Sequence, residues 1–119
     1  MHIDGLRNAK GELRVCLTQD GAGFLDCGKN EDAVTRDVPA TLAGPIEFRG
    51  LPTGDWYLLV LHDENGNAKL DKMLGIPREG FGFSNNPKLR MGPPKAHDVR
   101  FTLADGGETQ QRVKLRYLL

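Results

Sequence analysis

The sequence is poor in the features that would announce a partner or a reaction. Its 119 residues carry no excess charge, with 16 Lys and Arg against 16 Asp and Glu. A balanced chain lacks the basic footprint that nucleic acids require. No run of Lys and Arg marks a membrane-surface patch, and the scattered basic residues read as a solvated outer face. No apolar stretch approaches the ~18 residues that span a bilayer, the longest being Trp56–Leu61. No segment of ten or more residues shows a helical apolar stripe, and no internal repeat is present. There is one serine, Ser84, without the second glycine or the strand-to-helix setting of a nucleophile elbow. His2, His62 and His97 offer no chelating spacing. Gly21-Ala22-Gly23 and Gly80-Phe81-Gly82 open no helix, so they cradle no phosphate. The opening Met-His-Ile-Asp-Gly lacks a basic segment followed by an apolar one. The chain therefore either stays inside the cell or is the mature form of an exported protein.

Cysteine is scarce as well. Cys16 and Cys27 have no Cys-x-x-Cys spacing, which argues against a redox motif or zinc knuckle. They are either two free thiols or a disulfide worth roughly 2–3 kcal/mol through the short loop it closes.

What is abundant is alternation. Leu13, Val15 and Leu17 share one face of a strand, and Arg14 and Cys16 the other. Val34 and Val38 flank Arg36 in a poorer strand. Ile46 and Phe48 alternate with Glu47 and Arg49. Val99, Phe101 and Leu103 form another such run, and Val113, Leu115 and Tyr117 the last. Trp56–Leu61 is apolar on both faces, as a central strand covered on both sides should be. Turn residues divide these runs: Asn8–Gly11, Asp20–Gly23 and Pro52–Asp55, with Asp105-Gly106-Gly107 joining the last two as a hairpin. The length suits one domain, 1–119. The reading is an all-β, antiparallel sandwich of about seven strands. A long loop follows the central strand, because Asn65 to about Ala96 shows no clean strand. Its apolar residues suggest that it folds back as a lid.

The most chemically pointed stretch is His62-Asp63-Glu64-Asn65-Gly66-Asn67-Ala68-Lys69-Leu70-Asp71. Asp63, Asn65, Asn67 and Asp71 fall at positions 1, 3, 5 and 9 of a calcium loop, and Lys69 supplies the carbonyl of position 7. Calcium needs six to eight oxygens, which alternating Asp and Asn deliver from one curved segment. The match is partial, with Ala68 in place of the loop's Gly and Leu74 in place of its bidentate Glu. Glu79 would complete the set if the chain folds back. The alternative is an Asx-stabilised turn leaving the strand. Phe81 and Phe83, with nearby prolines, either line a ligand groove for a small molecule, peptide or glycan on the 75–86 arm or form that arm's own core. His62–Asp63 and His97–Asp98 are sequence neighbours that a strand would point apart, so a hydrolase is the least favoured reading. His62 is expected to end the strand and orient the loop by hydrogen bonding.

These residues also carry a resemblance. His62–Asn67 with Leu70-Asp71, followed by Leu74–Ser84, resembles the bacterial family catalogued as domain of unknown function 2141. Pro52-x-Gly54-x-Trp56-Tyr57, Leu115-Arg116-Tyr117 and the opening Gly5-Leu6…Gly11-x-Leu13-x-Val15 fit it too. Ala68 departs from the family's usual Asn-Gly-Asn-Gly. The resemblance implies a transthyretin-like, prealbumin-like Ig sandwich and a secreted or periplasmic location. In an oxidising compartment it favours the Cys16–Cys27 disulfide. It supplies no reaction and no known partner. The expectation is a non-enzymatic extracytoplasmic module with a calcium site, and with sheet edges that could pair two copies.

Overall fold

A computed structural model describes residues 1–42, 44–64, 72–73, 76–77, 80–88, 93–105 and 109–117, with backbone alone for 72, 73, 76 and 77. The chain is built mostly of strands. They are β1 (His2–Asp4), β2 (Glu12–Thr18), β3 (Val34–Pro39), β4 (Gly54–Asp63), β5 (Lys72–Met73), β6 (Ile76–Pro77), β7 (Gly80–Phe83), β8 (Phe101–Leu103) and β9 (Arg112–Lys114). Among the described residues there are thus nine short strands rather than about seven. An α-turn, α1 (Ala96–Val99), and 3₁₀ segments at Phe24–Lys29 and Ala40–Leu42 interrupt them.

The main sheet runs β3-β2-β4-β7, all antiparallel, with β8 pairing the first residues of β4. β1 and β9 form a separate parallel pair, and β5 pairs with β6. The doubly apolar β4 does occupy the centre. Trp56, Leu58 and Val60 join Leu13, Val15 and Leu17 of β2 in one core, closed by Ile3, Val113 and Leu115 from the β1–β9 side. Tyr57 and Leu59 face the other way, into a second core with Cys16, Phe24, Cys27, Phe81, Phe83 and Val99. Apolar residues on both faces of β4 are therefore each buried against a different set of elements, which is why its sequence does not alternate.

Four sequence expectations change. Phe81 and Phe83 lie on β7, a strand of the main sheet inside the stretch expected to be free of strands. Val99 ends α1 instead of starting a strand. It is fully buried all the same, so its apolar character reflects the core and not period-two pairing. Ile46 is buried in the first core and bonds the backbone of Met1, its N–H donating to the Met1 carbonyl at 2.9 Å, but the run 45–49 forms no strand. Finally, β8 and β9 make no hairpin, since β8 pairs with β4 and β9 with β1. Sequence adjacency of two alternating runs does not require that they pair.

Candidate functional site

The end of β4 presents His62 and Asp63 on opposite faces, and Glu64 follows in the turn. Each is held by partners from distant segments.

His62 has no solvent exposure. Its Nε2 lies 2.7 Å from the Lys10 carbonyl and its Nδ1 2.6 Å from the Tyr117 hydroxyl. A carbonyl only accepts, so Nε2 carries a proton toward Lys10, and with Nε2–H as the tautomer the Tyr117 hydroxyl is the donor to Nδ1. The hydroxyl in turn accepts the Arg7 backbone N–H at 3.3 Å. The Arg7 guanidinium sits 4.4 Å from the centre of the Tyr117 ring, in cation–π geometry. Burial pushes the Tyr117 phenol above its ordinary range, against the opposing Arg7 hydrogen bond. Two glycines make room for this junction. Gly80 is the register partner of His62 on β7, and any Cβ there would run into the Tyr117 ring. Gly11, at φ +66°, brings its turn so close to the backbone of Asp63 and Glu64 that a side chain could not fit.

Asp63 projects to the opposite face and is almost fully buried. Arg14 bonds it from the neighbouring strand, Nε to Oδ2 at 2.9 Å, and also meets Asp37 at 2.8 Å and Glu12 at 3.2 Å. The register explains the grouping: Arg14 is directly opposite Asp37 on β3, and Glu12 is directly opposite Asp63 on β4. The Asp63 hydrogen bond raises the Arg14 pKa further still, so Arg14 stays cationic. Arg14 is thus an organising centre, not the solvated residue its alternation implied. Glu64 receives Arg7 Nε at 2.8 Å and Asn8 Nδ2 at 3.1 Å. Burial alone would raise its pKa. The bonds from Asn8 and Arg7, with the Arg7 charge, outweigh that and hold it below the ordinary 4.5.

Of the expected calcium ligands, Asp63 is placed as above. Asn65, Asn67, Lys69, Asp71 and Glu79 lie outside the described residues. Phe81 and Phe83 pack on each other and on Phe24 in the second core. They are core residues, as the second of the two sequence readings had it, although the core they join is that of the main sheet and not the arm's own. The Ser84 hydroxyl is fully buried; it donates to the Val99 carbonyl and accepts the Leu58 N–H. That hydroxyl serves to tie α1 to β4. His97 and Asp98 do meet, at 3.2 Å, because they lie in a helical turn and not in a strand. Both are exposed. The Cys16–Cys27 disulfide is formed, joining β2 to the 3₁₀ segment that covers the second core.

Sequence reading missed Arg7, Asn8, Arg14 and Tyr117 as partners. One signal was available: a histidine and an aspartate ending an otherwise apolar strand must be satisfied if buried. Which distant residues do this depends on the register, which a single sequence does not show.

Among the described residues no helix is long and apolar enough to cross a membrane. No curated protein and no solved structure matches the chain. The family model described as "Uncharacterized protein conserved in bacteria (DUF2141)" matches residues 1–112, and the chain belongs to that family.

Proposed function

We propose that this protein is a non-enzymatic extracytoplasmic module, a transthyretin-like Ig sandwich whose 63–71 loop binds calcium with a Kd of about 10⁻⁴–10⁻³ M. The carrying observation is the state of the polar side chains at the exit of β4, His62, Asp63 and Glu64. Both nitrogens of His62, the Asp63 carboxylate and the Glu64 carboxylate are bonded to internal partners. Groups committed in this way hold the base of a loop; they are not poised to attack a substrate. The loop that springs from this fixed base is spelled for hard-cation ligation, through Asp63, Asn65, Asn67 and Asp71, the Lys69 carbonyl and Glu79. The disulfide supports an oxidising compartment, where calcium is available at such concentrations.

Arg14 makes the reading testable. Its guanidinium competes with a cation for Asp63, which agrees with a low affinity. Titrated to about 10 mM calcium, above the expected Kd, the protein should melt at a higher temperature by mass action. Asp63→Ala should remove that rise. Arg14→Gln should lower the melting temperature without calcium but enlarge the rise with it. A melting temperature indifferent to calcium in both the parent and Arg14→Gln would defeat the proposal.

A further inference from the structure

The two halves of the Cys16–Cys27 disulfide are not equally covered. Cys27 sits in the 3₁₀ segment with 1% of its surface exposed, and Cys16 on β2 keeps 8%. The difference matches a cleft of about 380 Å³ that the main sheet carries beside the bond. Cys16 lines the cleft, and so do its register partners, Thr35 on β3 and Leu59 on β4. Arg14 and Leu61, on the same face of the same strands, extend the lining. The cleft therefore lies over the face on which the Cys16 side chain stands. Cys27 is not part of its lining, although Asp26 and Gly28 on either side of it are. The second core encloses Cys27 instead. There Phe24 stacks on Tyr57 and meets Phe83 edge-on, both at 6.0 Å between ring centres.

A thiolate opens a disulfide by attacking one sulfur and expelling the other, and access helps to decide which sulfur is attacked. We propose that Cys16–Cys27 is a thiol–disulfide exchange site, opened at Cys16 by a small thiol that enters from the cleft. The thiolate forms a new S–S bond to Cys16 Sγ as the Cys16–Cys27 bond breaks. The bonding pair leaves with Cys27 Sγ, which takes a proton from water. A second thiolate then attacks the outer sulfur of the mixed disulfide and releases Cys16 as a thiolate, which is protonated in turn. The protein disulfide is reduced to two thiols, and the small thiols are oxidised to their own disulfide.

Opening the bond frees one tie of the 3₁₀ segment and leaves others in place. Asn30 Nδ2 donates to Thr18 Oγ1 at 3.0 Å and to Asp20 Oδ2 at 3.4 Å. The Ala22 and Gly23 N–H groups donate to Asp20 Oδ1 at 3.1 and 3.2 Å. These bonds close the neck of the excursion at the end of β2, and the Phe24 ring anchors its start. The reduced segment therefore loosens locally and keeps the two thiols near each other, so that the bond re-forms on oxidation. Local opening of this kind needs less than the free energy of global unfolding. The exchange site goes beyond the calcium reading and does not depend on it.

The test treats the folded full chain briefly with 2-mercaptoethanol, traps the products with excess N-ethylmaleimide, and locates both groups by peptide mass spectrometry. The mercaptoethanol adduct should fall on Cys16 and the maleimide on Cys27, by about ten to one where access decides. In urea, which removes the fold, the two cysteines should share the adduct nearly equally. Hydrogen exchange on the reduced chain should rise at the amides of Leu25 to Lys29 and stay slow at Leu13 and Val60. Cys27→Ser and Cys16→Ser each leave one thiol. An aromatic disulfide reagent should react about ten-fold faster with Cys16 in the first than with Cys27 in the second. An adduct chiefly on Cys27, or the urea distribution without urea, would overturn attack from the cleft, and neither result needs a variant to fold. No adduct at all on the folded chain would overturn the site itself. Loss of protection at Leu13 and Val60 together with the segment would overturn local release.

Discussion

Removing the Tyr117 hydroxyl leaves Nδ1 of a wholly buried histidine without its donor. A buried acceptor stripped of its partner costs about 1–3 kcal/mol. Tyr117→Phe should therefore lower stability by that amount in urea denaturation while keeping the ring under Arg7. His62→Phe removes both polar ends at once and also strands the Lys10 carbonyl, so it should cost at least as much. Glu64 supplies a pH signature at the same scale. Its folded pKa lies below 4.5 because Asn8 and Arg7 favour the ionised form over the penalty of burial. A depressed carboxylate pKa stabilises the fold above the unfolded value, and that contribution disappears as the pH falls through the folded value. Stability measured from neutral pH down through the carboxylate range should fall less steeply in Glu64→Gln than in the parent. An unchanged slope would show that Glu64 is not held as described.

At the scale of elements, legibility followed the physics of pairing. β2 was readable because one face is buried and period two exposes that directly, β4 because it is apolar on both faces, and β3 only weakly, through the half-buried Val34 and Val38. β7 was not, since Gly80 and Gly82 replace the alternating partners of Phe81 and Phe83. Those glycines are there to let Tyr117 and Val113 approach, a tertiary cause that local pattern cannot display. The disulfide was readable only as a choice, because the two cysteines sit on a strand and on a 3₁₀ segment whose approach depends on the whole fold. Replacing both cysteines with alanine should cost about 3 kcal/mol by the loop-entropy relation. The loss should concentrate on the second core, read as faster amide exchange at Phe83 and Tyr57 than at Leu13.

β3 ends the main sheet on one side. Two copies joined there antiparallel would place Arg36 against Arg36 in one central register, or Asp37 against Asp37 in the next. Like charges directly opposite are destabilising, so the edge is guarded against its own kind. If two copies pair through this edge, Arg36→Thr should strengthen the pairing. Sedimentation of the parent and the variant at matched concentration reads the difference directly.

For the molecule as a whole, β4 contributes to both cores and cannot leave one without opening the other. One cooperative transition is the expected result. Trp56 fluorescence, which reports the first core, and Tyr57 and Phe83 amide signals, which report the second, should share one urea midpoint. Separate midpoints would mean that the two faces melt independently.

The parallel pairing of His2–Asp4 with Arg112–Lys114 joins residues about 110 positions apart. Just beyond it, Arg116 exchanges two backbone bonds with Phe81 at 2.9 and 3.1 Å, tying the same tail to the main sheet. Non-local pairings of this span are the last that a chain can close. During synthesis the growing polypeptide therefore cannot complete its first core until Val113 and Leu115 have emerged. Until then Ile3, Leu13 and Trp56 lack the residues that complete their cover.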